Sequence, residues 1–226
     1  MDVEKEIENC EIYLKQIKQY DPDPFYVNYF FTKYINSIEK IFNLIFEEAN
    51  RDFGLFISEK ITYEKFTDSA KTKMDSKAIE FSKWYIKKFL QEHQNPFPNM
   101  MRKICQSKKN QKMPEIKIMI RASNRYKDDI NQQINVDLSN KKLRSKEEIT
   151  VEIKRQLPTF LEIMNQKRKM KNEPKVNDKQ IVASAFLDID NHKYVEIVYI
   201  SEIYITVMKR LIEDVREKIK ELTAWK

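Results

Sequence analysis

Apolar residues recur at helical spacing through the first half of the chain. Val3, Ile7, Cys10, Leu14 and Ile17 stand three and four residues apart and predict a helix, with Asp2 placed to cap it. The break "YDPDP" ends it, and Asp23 with Pro24 supplies a cap and a first-turn proline for the next. Val27, Phe30, Phe31, Tyr34, Ile38, Ile41, Phe42 and Ile45 then form a wide apolar stripe, with Asn28, Lys33, Asn36 and Glu39 between them. These rings are read as core rather than as a base-stacking platform. Gly54 follows where a left-handed helix cap belongs. Residues 55–75 read as a connection with at most a short helix. From about Ser76 the period returns in Ala78, Phe81, Tyr85 and Phe89, with Trp84 beside them. This helix runs antiparallel to the previous one if the connection folds back. "NPFPN" ends it, and Met100, Met101, Ile104 and Cys105 predict a short helix afterwards.

After Pro114 the period changes to two. "EIKIMIRAS" alternates Ile116, Ile118 and Ile120 with charged or polar neighbours, and "QINVDLS" does the same with Ile134, Val136 and Leu138. "SKEE" offers a capping box for a helix reaching toward Leu157 before Pro158 disturbs it. "PTFLEIMNQKRKMKNEP" reads as a helix fraying into a basic loop, and "QIVASAFLDI" as a third strand. The chain closes on Ile200, Ile203, Tyr204, Val207, Leu211, Val215 and Ile219, the stripe of a long helix at about 194–222. That helix cannot bury its stripe alone, and the N-terminal pair is its simplest partner. The expected fold class is mainly α: a helical bundle (1–113), a small β-rich insertion (about 114–190) and a C-terminal helix, all in one domain over 1–226.

Composition narrows the chemistry. One glycine in 226 residues excludes a P-loop or a dinucleotide fingerprint, which need several positive-φ positions, so no nucleotide cofactor is expected. Cys10 and Cys105, the only cysteines, stand among apolar residues as core fillers, with no disulfide framework or cysteine zinc site. No run approaches the length of a membrane span and the acidic start lacks a signal core, so a cytoplasmic location is expected. The charge of +7 is compatible with an acidic partner without requiring one.

Two basic clusters are candidate phosphate contacts. The first is Arg102, Lys103, Lys108, Lys109 and Lys112, with no acidic residue between Asn99 and Met113. The second is Lys167, Arg168, Lys169 and Lys171. Neither has aromatic residues interleaved, so base stacking is not indicated there, and a solvated charge run is the plainer reading. Asp188, Asp190, Asn191 and His192 form a polar turn in preference to a metal site. His93, at a helix C-terminus, suits a cation facing the helix dipole. No catalytic residue and no metal ligand is assigned.

"FYVNYFFTKYINSIEKIFNLIFEEA" resembles the first long helix of HEPN-type proteins, a family of helical bundles. "FSKWYIKKFLQEHQNPFPNMMRKI" resembles the second, an aromatic pair followed by a break and a further helical segment, and the closing helix stands in the matching place. The resemblance covers about half of the chain. It implies a homodimer and, in active members, a metal-independent ribonuclease. There an Arg holds the phosphate, and a His four to six residues later handles the 2′-hydroxyl proton. Arg102 stands where that Arg belongs. Lys103, Ile104, Cys105, Gln106, Ser107 and Lys108 follow it, with no His in reach. A base working near neutral pH needs a group such as imidazole, and Ser107 or Lys108 does not replace it. The expectation is a non-catalytic HEPN-like interaction or assembly module, with an RNA-binding protein or divergent ribonuclease, in a defence or toxin–antitoxin setting, as the alternative.

Overall fold

The computed structural model describes residues 2–109, 114–122, 132–133, 146–175, 177, 181–189 and 193–224. Their elements run α1 (Val3–Tyr20), α2 (Pro24–Phe53), α3 (Tyr63–Thr72), α4 (Ser76–Glu92), α5 (Pro96–Lys109), β1 (Ile116–Ala122), β2 (Gln132–Gln133), α6 (Lys146–Met170), β3 (Ile181–Ile189), β4 (Lys193–Glu196) and α7 (Ile197–Thr223). The fold is mainly α, with a small antiparallel sheet inserted before the C-terminal helix. No described helix is long and apolar enough to cross a membrane. The described residues group into two compact units. One lies within Met1–Leu14, Thr32–Met113 and Ile200–Lys226, and the other within Lys15–Phe31 and Pro114–Tyr199.

Most of the predicted α2 stripe is core. Tyr34, Ile38, Ile41 and Ile45 are buried in the first unit, as is Ile35, and Val27 and Phe31 are buried in the other. Phe30 and Phe42, also expected in the core, are only half-buried. Ring pairs fix the direction of α4 against α2. Phe42 meets Phe89 (5.7 Å between centroids), Phe46 meets Tyr85 (4.7 Å) and Phe53 meets Phe81 (5.5 Å). Rising numbers on one helix meet falling numbers on the other, so the pair is antiparallel as expected. Phe46 also touches Tyr63 and Phe66 from α3, which closes an aromatic cluster around one ring.

Helix α7 packs on the N-terminal helices through Ile200, Tyr204, Met208, Leu211, Val215 and Ile219, all buried. Tyr34 donates its hydroxyl to the Ser201 carbonyl (2.8 Å), and Arg216 reaches Glu48 (2.9 Å), so α7 runs parallel to α2. Lys218 with Glu80 (3.0 Å) and Lys88 with Asp214 (2.9 Å) set it antiparallel to α4. Cys10 is buried beside Tyr34, its thiol facing the Tyr34 carbonyl, and burial pushes that thiol up to about 12, so it remains protonated.

Helix starts follow local chemistry. Asp23 accepts from the Phe25 and Tyr26 N–H groups (3.0 and 3.2 Å), and Asp75 accepts from Ala78 (2.8 Å). Three helix ends share one closure, in which the residue after the turn donates five positions back. Leu55 N–H bonds to Asn50, Asp75 to Ala70 and Glu173 to Arg168. The left-handed residues at these ends are Gly54 (φ 67°), Met74 (φ 54°) and Asn172 (φ 54°).

In the second unit the strand order is β2-β1-β3-β4, every pair antiparallel, with Ile118 opposite Ala185. Ser184, Ala185, Phe186 and Leu187 are consecutive and all buried, so β3 is covered on both faces. Strand β4 pairs only back to Phe186, and the next N–H, that of Ala185, donates to Asp21 Oδ1 (2.7 Å).

Three expectations need correction. "NPFPN" both stops α4 and starts α5 at Pro96, because the first turn of a helix has no N–H bonds for proline to remove. Helix α6 runs unbroken through Pro158, held by Ile149 on one side and Phe160 and Met164 on the other, all buried. One missing hydrogen bond does not end a helix anchored by apolar burial on both sides of it. The last helix begins at Ile197, since Lys193–Glu196 pairs as a strand. The strand expected over Ile134, Val136 and Leu138 lies outside the described residues.

Phe46→Ala is expected to lower unfolding stability by about 3–5 kcal/mol, because the rings around it lose their shared partner. Ile12→Ala, 55% exposed, should stay within about 0.5 kcal/mol of the parent. Urea melts of both variants check this.

Candidate functional site

Arg102 lies half-buried on α5, between the buried Met101 and Ile104. Its Nη2 donates to Asn99 Oδ1 (3.0 Å), one turn earlier, and its Nε is buried with no hydrogen-bond partner among the described residues. Its charge bears on His93 and on the Tyr204 hydroxyl. Among the described residues, the imidazole that feels Arg102 therefore comes from before it in sequence.

His93 follows the last turn of α4 and is 5% exposed. Its Nδ1 donates to the Phe89 carbonyl (2.7 Å), and its Nε2 accepts from the Tyr204 hydroxyl (3.0 Å). The carbonyl can only accept, which fixes the proton on Nδ1. Burial first, and then the Arg102 cation, holds the imidazole below its ordinary pKa, against the opposing pull of the Phe89 carbonyl and Glu92. The cation expected at this helix end is thus a neutral ring, because desolvation outweighs the helix dipole. Tyr204 and Tyr34 are both buried, and their phenols are pushed well above the usual range, chiefly by burial. Glu92 is buried and takes Arg210 and Lys88 (3.3 Å), so its charge is balanced in place.

A base must reach solvent or substrate and must keep a nitrogen lone pair available. His93 does neither. The arrangement is a closed structural chain, with Arg102 at its edge.

The basic residues fall unevenly. Lys103 is exposed on α5. Lys108 and Lys109 stand in its last turn, their side chains beyond the described set, and Lys112 lies outside the described residues. On α6 and its exit, Lys167, Lys169 and Lys171 are exposed. Arg168 is buried, with Nη1 on the Pro174 carbonyl (3.1 Å), and it tightens the turn rather than facing solvent. The first cluster belongs to one unit and the second to the other. Asp188, expected in a polar turn, lies instead in β3 opposite Tyr194 and pairs with Lys117 (2.8 Å), while Asp190, Asn191 and His192 lie outside the described residues.

Asp2, Glu4 and Glu48 bring carboxylate oxygens within 4.8 Å of one another, a grouping that sequence spacing does not reveal. Arg216 bonds to both Glu4 and Glu48, and its guanidinium holds the Glu4 carboxyl down to about 2. The cation these carboxylates need is already a side chain. Beside them a shallow groove of about 290 Å³ has Val3, Ile7 and Ile212 in its lining, and its cations Lys209 and Arg216 are engaged by Glu11, Glu4 and Glu48.

The chain matches no protein-family model, no curated protein and no solved structure.

The buried neutral imidazole has a pH signature. The unfolded chain protonates His93 near pH 6.5, while the folded chain does so only at lower pH. Its contribution is therefore complete above about pH 6.5 and is lost as pH falls from there toward the lowered folded value, by up to about 1.4 kcal/mol per pH unit. Denaturant melts at pH 7.5 and 5.0 should show the loss, and His93→Gln should remove most of this slope.

Proposed function

We propose that the chain is a non-catalytic interaction or assembly module, HEPN-like in its helices and working as a homodimer. The observation that carries this reading is His93. It is the imidazole that feels the Arg102 charge, it is 5% exposed, and both ring nitrogens are engaged within the protein. Arg102 gains from it no partner able to move a proton between substrate and solvent. Cys10 is protonated and buried, so it offers no alternative nucleophile.

The second reading is an RNA-binding protein or divergent ribonuclease. It is favoured by the unused Nε of Arg102 and the exposed Lys103, Lys167, Lys169 and Lys171.

Labelled single-stranded RNA incubated with the purified protein in EDTA should remain intact, and Arg102→Ala should leave the gel unchanged. Cleavage that vanishes in Arg102→Ala would promote the second reading. Light scattering at micromolar concentration should give about twice the chain mass of 27.4 kDa. A species of one chain mass at every concentration would remove the homodimer.

A further inference from the structure

The aromatic residues of α2 divide between two environments. Val27 and Phe31 are fully buried, but Phe25, Tyr26 and Tyr29 are 46%, 42% and 50% exposed. The exposed rings do not stand singly. Tyr20, at the end of α1, stacks on Tyr26 (4.5 Å between centroids, planes 27° apart) and on Phe30 (5.6 Å, 19°). Phe25 meets Tyr26 edge-on at 5.2 Å, and Tyr29 meets Phe30 edge-on at 5.1 Å. These rings thus form one supported surface, and Phe25, Tyr26 and Tyr29 leave much of their area to water. Supported rings lose little conformational freedom when a flat partner settles on them.

The polar groups around this surface select the partner. Between residues 15 and 31 the exposed charges are Lys15 and Lys18, with the amides Gln19 and Asn28 also exposed. The two carboxylates of the segment are both engaged. Asp23 is 4% exposed and caps α2, and Asp21 accepts from the Ala185 N–H (2.7 Å). Within this segment the exposed side chains are therefore aromatic, amide and cationic, and of its two carboxylates Asp23 is buried and Asp21 half-buried. Rings stack on bases of any sequence, and lysines meet the phosphates between them.

We propose that Tyr20, Phe25, Tyr26, Tyr29 and Phe30, flanked by Lys15 and Lys18, form a stacking platform for single-stranded nucleic acid. The platform belongs to the unit that does not contain Arg102, and Lys167, Lys169 and Lys171 belong to the same unit as the platform. The proposal rests on the non-catalytic part of the first reading and takes up the strand binding of the second: a strand that is held and not cut. A duplex keeps its base faces covered and is a poor ligand.

Fluorescence anisotropy with labelled U20, dT20 and a 20-base-pair RNA duplex, in EDTA at 50–200 mM NaCl, tests this, with each strand checked on a gel afterwards. At least one single strand should bind at least tenfold more tightly than the duplex, and comparison of U20 with dT20 assigns the sugar preference. Tyr26→Ala and Tyr29→Ala should each weaken binding about fivefold or more, while Tyr26→Trp retains it. Lys15→Gln with Lys18→Gln should flatten the logarithmic salt dependence by about 1.4, at about 0.7 for each phosphate no longer neutralised. Circular dichroism confirms that the variants fold, and Tyr29→Ala, whose ring packs on Phe30 at the edge of the set, is the safeguard if Tyr26→Ala does not. Absence of strand binding at 50 mM salt overturns the proposal. So does binding lost in Lys103→Gln or in a Lys167, Lys169 and Lys171 triple variant but untouched by the ring changes. Ring variants that alter only the mass seen by light scattering, with no strand bound by the parent, overturn it in favour of a protein interface. A strand bound in a ring-dependent way but cut would keep the platform and overturn the non-catalytic reading.

Discussion

The apolar stripe on α7 has to be covered by residues from the other end of the chain, and the arrangement of the first unit follows from that demand. Ile200, Tyr204, Met208, Leu211, Val215 and Ile219 are buried, and the bonds around them span long stretches of sequence: 167 positions from Tyr34 to Ser201, 212 from Glu4 to Arg216. Burial supplies most of the energy, at roughly 1.5–3 kcal/mol for each large side chain. The ion pairs at the edges add little individually. Their effect is on alignment. Glu48, Glu80 and Asp214 each meet a partner at one height along the bundle, so α7 cannot slide by a turn without separating several charges. Closing contacts over such distances carries a loop-closure cost, and the core of the first unit is complete only with the C-terminal helix in place.

The same packing explains the chemistry near Arg102. Tyr204 comes from α7, and its hydroxyl occupies the one lone pair that would let His93 act as a base. The contact that completes the bundle therefore also closes the imidazole to substrate. A polar pair in such a place is stable only when both members are satisfied, and here they satisfy each other. An interaction surface must then be sought where side chains are exposed without being closed in this way. The rings at the start of α2 answer that description and the α4–α7 seam does not.

Sequence reasoning recovered the elements whose side chains act through periodicity. The α2 stripe, the α4 stripe, the caps at Asp23 and Gly54, the strands at Ile116 and Ala185 and the closing helix were all legible, because spacing and cap chemistry are local. It failed where a distant contact decides. Pro158 reads as a break until Ile149 and Phe160 are seen buried on either side of it. His93 reads as a cation until Tyr204, 111 positions away, is placed against it. Arg168 is one of four basic residues in sequence and the one whose guanidinium is turned inward. Tyr26 and Tyr29 are of the same residue type as the buried Tyr34, and composition alone does not separate them.

The helix ends at Gly54, Met74 and Asn172 have the same hydrogen-bond closure, yet only one of them has glycine at the left-handed residue. Asn tolerates that conformation, whereas Met carries a Cβ into it at a cost on the order of 1 kcal/mol. Met74 is 87% exposed, so its side chain returns almost nothing through packing. The turn between α3 and α4 is closed by the Asp75 N–H on the Ala70 carbonyl (3.0 Å), while the Asp75 carboxylate caps the helix that follows. In a chain with a single glycine, this corner acts as a lightly loaded spring. Replacing Met74 by glycine relaxes the bend while removing the Asp75 cap loosens the start of α4, so the two changes act in opposite directions on the same corner.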